Sequence, residues 1–185
     1  MHLTFDLKGL KPEEIAEKFA KEQLLDLENG LFLVHSAAVK FVSLNLAEHL
    51  QDVDTQVLVV ASWLHNIGKV RGSAGHEIIG CGYTQALFKN MPSDFYYTIS
   101  DCVLNHCCSK KPETIEGEIL HDADKIAFLH PTYLDFVKAE FEREGKAAEF
   151  TKFVKEKIAF RDSVLFPKGL KLFDEYAESA MREID

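Results

Sequence analysis

Residues 57–64 constrain the fold most, because this segment is almost wholly apolar on every side when it is drawn as a helix. A helix without a polar face has to be buried among other elements. Residues 57–61 are rich in β-branched side chains, so a strand is an alternative, but the continuation through Trp63 and Leu64 favours a buried central helix. His65 and Asn66 follow directly, so their polar side chains are expected inside the protein.

The rest of the chain also has helical periodicity, punctuated by proline, glycine and capping residues. We predict an all-α fold, a single-domain helical bundle spanning residues 1–185. The first predicted helix runs from Pro12 to a stop at Asn29-Gly30, and the second covers residues 31–50. The third covers residues 56–67 between an Asp54 or Thr55 cap and Gly68, the fourth runs from a Ser73 cap to residue 89, and the fifth runs from Asp94 through His106. The others cover residues 118–145, with a bend near His130-Pro131, residues 147–160 and residues 168–184.

Composition limits the classes of function. The 185 residues, 46% hydrophobic and 28% charged, suit one soluble globular domain. No apolar run approaches the ~20 residues of a membrane span, and residues 1–8 do not look like a signal peptide, so we expect a cytoplasmic protein and no membrane partner. The net charge of -9 argues against a nucleic-acid polymer as partner. It still allows a small phosphorylated substrate, since a metal ion and one lysine supply positive charge locally.

The four cysteines, Cys81, Cys102, Cys107 and Cys108, form neither a disulfide framework nor a zinc-type CxxC pair. The adjacent Cys107-Cys108 could be oxidised or could bind a soft metal. The favoured interpretation is that they are small hydrophobic residues in a helix.

Several helices carry histidines or carboxylates at positions expected to face the core. Burying such groups unpaired is costly, and helical bundles build metal sites from side chains on facing helices. We therefore predict a metal centre from His35, His65 and Asp124, with His76 and His106 nearby. His121 is either a neighbour of the ligands or a structural residue, whereas His2, His49 and His130 are expected at the surface.

The ordered motifs resemble the HD-domain superfamily of metal-dependent phosphohydrolases. The resemblance covers residues 31–128 and rests on His35, His65-Asn66-Ile67-Gly68-Lys69, His76, His106 and Asp122-Ala123-Asp124-Lys125-Ile126. It implies a helical bundle of the HD-domain type, with residues 129–185 forming C-terminal helices.

The resemblance also implies roles for individual residues. The core metal ligands would be His35, His65, Asn66 and Asp124, and a second metal would use His76 and His106. Lys69 would contact a substrate phosphate and act in catalysis, and Arg71 adds a second cation. Asp124 is preferred to Asp122, which is expected to be a supporting or solvated residue. The implied cofactor is one or two divalent ions, among Mn, Fe, Zn, Co, Ni and Mg.

Asn66 departs from the family, which has an aspartate there that contacts the metal and bridges two ions. An asparagine offers one carbonyl oxygen and an amide that cannot ligate. Three explanations are open: a weakened or mononuclear site, a degenerate enzyme kept for binding, or a substitution introduced to trap an inactive form.

The predicted function is hydrolysis of a nucleotide or another small phosphoester, by a form that is active, weakened or inactive. One alternative is a non-catalytic metal- or nucleotide-binding protein of the HD type. Another is a di-iron oxygenase, which Asn66 disfavours because that chemistry needs a bridging carboxylate. A homo-oligomer is left open.

Overall fold

The computed structural model describes residues 9–48, 50–107 and 111–184, so His2, His49 and Cys108 lie outside the described residues. Within these ranges the chain is helical and forms no strand, which confirms the all-α prediction. The α-helices are α1 (Pro12–Leu24), α2 (Leu31–Ala47), α3 (Thr55–Leu64), α4 (His76–Phe88), α5 (Ser93–Asn105), α6 (Ile115–Ala127), α7 (Pro131–Arg143), α8 (Ala147–Ile158) and α9 (Pro167–Ile184). Short 3-10 helices cover Leu27–Gly30, Ile67–Arg71 and Ala159–Ser163.

Helix α3 is the buried centre of the bundle, as its apolar sequence predicts. It packs against α1, α2, α5 and α6, and seven of its residues are buried. The Asp54 side chain caps the helix by accepting hydrogen bonds from the amides of Gln56 at 2.9 Å and Val57 at 3.2 Å. Such a cap is typically worth about 1 kcal/mol.

The prediction that Gly68 ends the central helix is wrong. Gly68 lies inside the 3-10 helix Ile67–Arg71. A Cβ atom on Gly68 would stand 1.9 Å from the His76 carbonyl oxygen and 2.9 Å from the Gly80 amide nitrogen. The glycine is therefore needed for the close approach of this turn to α4. Helix α4 itself begins at His76 after Gly75, whose φ is 67°, and not at a Ser73 cap.

The predicted long helix over residues 118–145 is two helices, α6 and α7. Thr114 caps α6 by accepting a hydrogen bond from the Gly117 amide at 3.0 Å, so this helix starts earlier than expected. Pro131 starts α7, because a proline lacks the amide hydrogen that a helix interior needs but fits the first turn. His130, expected at the surface, is half-buried with its ring against Phe41 and Tyr176.

Two other boundaries are shorter than predicted: α1 ends at Leu24, and α2 ends at Ala47. Leu27–Ala47 is 21 residues long with a mean hydropathy of 1.5, so by length and composition it could cross a membrane, contrary to the sequence expectation. Half of this apolar stretch is buried in the protein, and helices in a protein core can have the same length and hydropathy.

Candidate metal centre

Three helices bring His35, His65 and Asp124 together, and we name these residues the inner triad. His35 lies in α2, His65 directly follows α3, and Asp124 lies in α6. The nearer carboxylate oxygen, Asp124 Oδ1, is 2.9 Å from His35 Nε2 and 3.4 Å from His65 Nε2. Both histidines are buried. Residues far apart in sequence thus present two nitrogens and an oxygen to one point.

A second cluster adjoins the first and consists of His76, His106 and Cys107, which we name the outer triad. Its three ligand atoms lie within 4.8 Å of one another. His76 is the first residue of α4, and His106 directly follows α5. The ring centroids of His65 and His106 are 5.1 Å apart, so the two triads are neighbours. The predicted second site included both histidines, whereas metal binding by Cys107 was the less favoured alternative in the sequence analysis.

Backbone contacts fix the orientation of three of the four histidines. The Nδ1 atoms of His65, His76 and His106 lie 2.8, 2.9 and 2.8 Å from the carbonyl oxygens of Ser62, Ser73 and Val103, each three residues earlier. A carbonyl only accepts, so each Nδ1–H donates and each Nε2 carries a lone pair. This is how metal-binding histidines are commonly held.

His35 is the exception. Its Nδ1 is buried without a hydrogen-bond partner, and its ring stacks on Phe128 at 4.3 Å between centroids. Only the contact between its Nε2 and Asp124 orients the polar side of the ring.

Burial favours the neutral, metal-binding form of three histidines, His35, His76 and His106. Desolvation lowers the pKa of His35 to about 4 and that of His106 to about 3, and it also lowers the pKa of His76. Burial alone would raise the pKa of Asp124, but the hydrogen bond from His35 and the contact with His65 hold it well below its usual value. Near neutral pH the site offers neutral imidazoles and an ionised carboxylate, a donor set that suits a divalent ion.

Asn66 lies against the inner triad. Its side chain is almost fully buried, and Nδ2 is 2.6 Å from His65 Nε2. Because His65 Nδ1 carries the ring proton, the amide N–H donates to the lone pair that a metal would use. Rotating the amide by 180° presents the carbonyl oxygen instead.

The two predicted substrate-binding cations differ in their position. Lys69 places its ammonium 4.5 Å from the Phe32 ring centroid, and it lies within electrostatic reach of Asp124 and Cys107. Partial burial lowers the pKa of Lys69. Arg71 is exposed, and its Nε donates to the Tyr83 hydroxyl at 3.4 Å. Lys69 therefore lies close to the candidate metal centre, whereas Arg71 is hydrogen-bonded to Tyr83.

The other aspartate of the motif is structural. Asp122 is fully buried, and its carboxylate accepts hydrogen bonds from the amides of Leu165 and Phe166, both at 2.8 Å, just before α9. The alternative of a solvated Asp122 is therefore wrong. His121 is buried beside it, with Nδ1 3.4 Å from Asp122 Oδ1.

Sequence reasoning missed Lys125, a fully buried residue that connects the triads. Its Nζ donates at 2.8 Å to the carbonyl oxygens of both His106 and His121. Lys125 follows Asp124 directly, so it fixes the end of α5, which carries His106, to the helix that carries the inner carboxylate.

Comparison with known proteins identifies the family and the fold. The HD domain family model matches residues 32–129, more than half of the chain. The crystal structure of a predicted HD superfamily hydrolase from an uncultured Thermotogales bacterium has the same fold, with a TM-score of 0.71, 16% identity, and coverage of 100% of this chain and 95% of its own. No curated protein matches in sequence. Both the resemblance seen in the motifs and the helical architecture are confirmed: the chain belongs to the HD-domain family.

Proposed function

We propose that this protein is a metal-dependent phosphohydrolase that acts on a nucleotide or another small phosphoester. Membership of the HD-domain family supports a metal-dependent hydrolase as the general class. The observation that carries the proposal is the convergence of Asp124 with His35 and His65 at 2.9 and 3.4 Å, beside the ammonium of Lys69.

The metal ligands and Lys69 have different roles in the proposed reaction. His65 and Asp124 hold a divalent ion, with His35 as the third ligand. When bound, such an ion activates a water molecule near neutral pH and polarises a phosphoryl oxygen. Lys69 binds the substrate phosphate and neutralises negative charge that develops on its oxygens. Its partial burial strengthens this interaction, since fewer water molecules screen the ammonium.

The surroundings favour a small substrate. The net charge of -9 repels polyanions, whereas Lys69 provides a local positive charge for one phosphate group. His76 and Cys107 are half-buried, so the outer triad faces the more accessible side of the centre. A phosphoester would approach from that side.

The second candidate function is binding without hydrolysis, of a metal ion or a nucleotide. The observation that favours it is the amide of Asn66, 2.6 Å from the lone-pair nitrogen of His65. In this arrangement the amide competes with an ion for His65 and supplies no bridging carboxylate.

A hydrolysis panel separates the two candidates. The full chain is treated with a chelator, reloaded with Mn²⁺, Co²⁺ or Zn²⁺, and incubated with nucleoside mono-, di- and triphosphates and an aryl phosphate. Metal content and phosphate release are measured together. We expect release by the loaded protein, none by the chelated protein or His65→Ala, and normal release by His130→Gln, a histidine variant outside both triads. Bound metal without release on every substrate would establish the binding protein instead.

A further inference from the structure

The outer triad contains a sulfur that the family resemblance does not account for. His76 Nε2 is 3.2 Å from His106 Nε2, and Cys107 Sγ is 3.6 Å from the same nitrogen. Cys107 is in the thiol form and half-buried. Three donor atoms from different residues therefore surround one point next to the inner triad.

The orientation of the two imidazoles favours a cation between them. Both Nδ1 atoms donate to backbone carbonyls, so the Nε2 atoms face each other with lone pairs at 3.2 Å. Two lone pairs at this distance repel each other, and the Glu77 carboxylate lies 3.4 Å from the other ring nitrogen of His76, Nδ1. A positive ion between the rings converts the repulsion into two coordinate bonds.

Two of the three separations match the edges of a tetrahedral zinc site, and all three donor atoms lie within 4.8 Å of one another. With Zn–N bonds of about 2.05 Å and Zn–S bonds of about 2.3 Å, tetrahedral angles place two nitrogens about 3.3 Å apart and a nitrogen and a sulfur about 3.6 Å apart. The observed distances are 3.2 and 3.6 Å.

We propose that Cys107 is the third ligand of an ion held by His76 and His106, and that its thiolate makes this outer site selective for Zn²⁺ or Co²⁺ over Mn²⁺ and Mg²⁺. The inference rests on the metal centre of the proposed function. A sulfur ligand favours borderline and soft ions, whereas Mn²⁺ and Mg²⁺ prefer oxygen. Binding forms a metal–sulfur bond and breaks the S–H bond, and the proton goes to solvent.

The thiolate also restores charge that Asn66 removes. An aspartate at position 66 would bring one negative charge to the centre, and asparagine brings none. A thiolate at Cys107 supplies one negative charge at the outer site. The Lys69 ammonium lies within electrostatic reach of Cys107. The total charge around two divalent ions is then the same as with an aspartate, but it lies on sulfur.

A Co²⁺ titration tests the site, because a thiolate bound to cobalt gives a sulfur-to-cobalt charge-transfer band in the near ultraviolet. The chelator-treated full chain is titrated with Co²⁺ alone and then challenged with Zn²⁺ or Mn²⁺. We expect the band in the parent, its loss in Cys107→Ser, and its removal by Zn²⁺ but not by Mn²⁺. Zinc affinity of the outer site should fall by more than about 100-fold in Cys107→Ser, because even groups that only support ligands are worth 10–100-fold.

Two cysteine variants serve as controls. Cys81→Ser alters a half-buried thiol whose sulfur is 3.6 Å from the Ser100 carbonyl oxygen, and Cys108→Ser alters the neighbouring cysteine in sequence. Both should keep the band. A melting curve in chelator shows whether each variant folds. If Cys107→Ser does not fold, the absence of the band from the parent still overturns the proposal, and a band in the parent and both controls still supports it.

The outcomes separate this inference from the proposed function. A band without phosphate release supports the thiolate ligand and counts against the hydrolase. Phosphate release by protein with two bound cobalt ions and no band overturns the thiolate ligand. A band that survives Cys107→Ser, or that Mn²⁺ removes as readily as Zn²⁺, also overturns it.

Discussion

The inner and outer triads differ in depth, in their third ligand and in how the chain assembles them. The inner triad joins α2, α3 and α6, and His35 and Asp124 are 89 residues apart in sequence. The outer triad uses the first residue of α4 and the two residues after α5, with 30 residues between its histidines. The inner triad has a carboxylate and two buried histidines, whereas the outer has a half-buried thiol.

This difference shows that similar histidines acquire different chemistry from their surroundings. His65 and His106 have the same Nδ1 contact to a carbonyl three residues earlier, and their rings touch. What distinguishes the two sites is the neighbouring group, a carboxylate in one and a sulfur in the other. We therefore expect the third ligand and its exposure to decide which ion each site prefers.

The largest effect should come from breaking the inner triad. We expect Asp124→Ala to lose the inner ion and all hydrolysis, because it removes the only carboxylate of that triad. Asp122→Ala should keep the metal but lose about 2 kcal/mol or more of unfolding free energy, since two amides before α9 lose their acceptor. Elemental analysis and urea unfolding check both variants. Full metal content in Asp124→Ala would refute the assignment of the inner site.

Removing both histidines of the outer triad should have the next largest effect. We expect His76→Ala with His106→Ala to lower the metal stoichiometry from two toward one, because the inner triad does not depend on them for a ligand. Elemental analysis after extensive dialysis gives the ratio. A stoichiometry equal to that of the parent would place these histidines in a structural role.

Lys69 should affect turnover more than metal content, because it lies beside both triads without being a ligand. We expect Lys69→Met to reduce kcat/KM for a phosphoester by about 100-fold, a typical loss for a group that stabilises developing charge. Arg71→Met, which changes an exposed cation bound to Tyr83, should stay near the parent value. Equal losses in the two variants would contradict the distinction that the structure makes.

Replacing Asn66 by aspartate should make the inner site a stronger metal site. We expect Asn66→Asp to raise metal affinity by at least about tenfold, since unit charges 4 Å apart interact by about 4 kcal/mol at an effective dielectric of 20. Phosphoester hydrolysis should appear or increase with it. The variant should melt below the parent in chelator and above it with metal, because an unpaired buried carboxylate is costly. No gain in affinity or turnover would disprove the idea of a weakened hydrolase.

The last prediction concerns the chelated protein alone, whose stability should depend on pH. The folded-state pKa values of His35 and His106, about 4 and about 3, lie below the ordinary 6.5. Between pH 6.5 and these values the unfolded chain binds more protons, so stability should fall as the pH falls, by up to about 1.4 kcal/mol per unit of pKa shift. Urea unfolding from pH 7 to pH 4 measures the slope. A flat profile would indicate that the histidines are more solvated than the structure shows.

Short-range patterns made much of the fold predictable. Asp54 caps α3 and Pro12 starts α1, because capping and proline geometry depend on a few neighbouring residues. At Pro131 the sequence predicted only a bend, whereas a new helix starts there. The Gly68 and Ser73 boundaries were predicted wrongly, because the approach of the turn at Ile67–Arg71 to α4 decides them. Local sequence contains no information about that distance.

The sequence by itself determined the helical class, the buried centre and the set of imidazoles and carboxylates, since periodicity and residue type are local properties. The tertiary structure alone decided which of these side chains meet. Asp122 and Asp124 are two residues apart on one helix, yet Asp124 contacts the histidines, whereas Asp122 accepts hydrogen bonds from the amides before α9. The tertiary structure also brought Cys107 to His106 and buried Lys125 between the triads. Contacts between distant segments depend on the packing of whole helices, and no short motif specifies that packing.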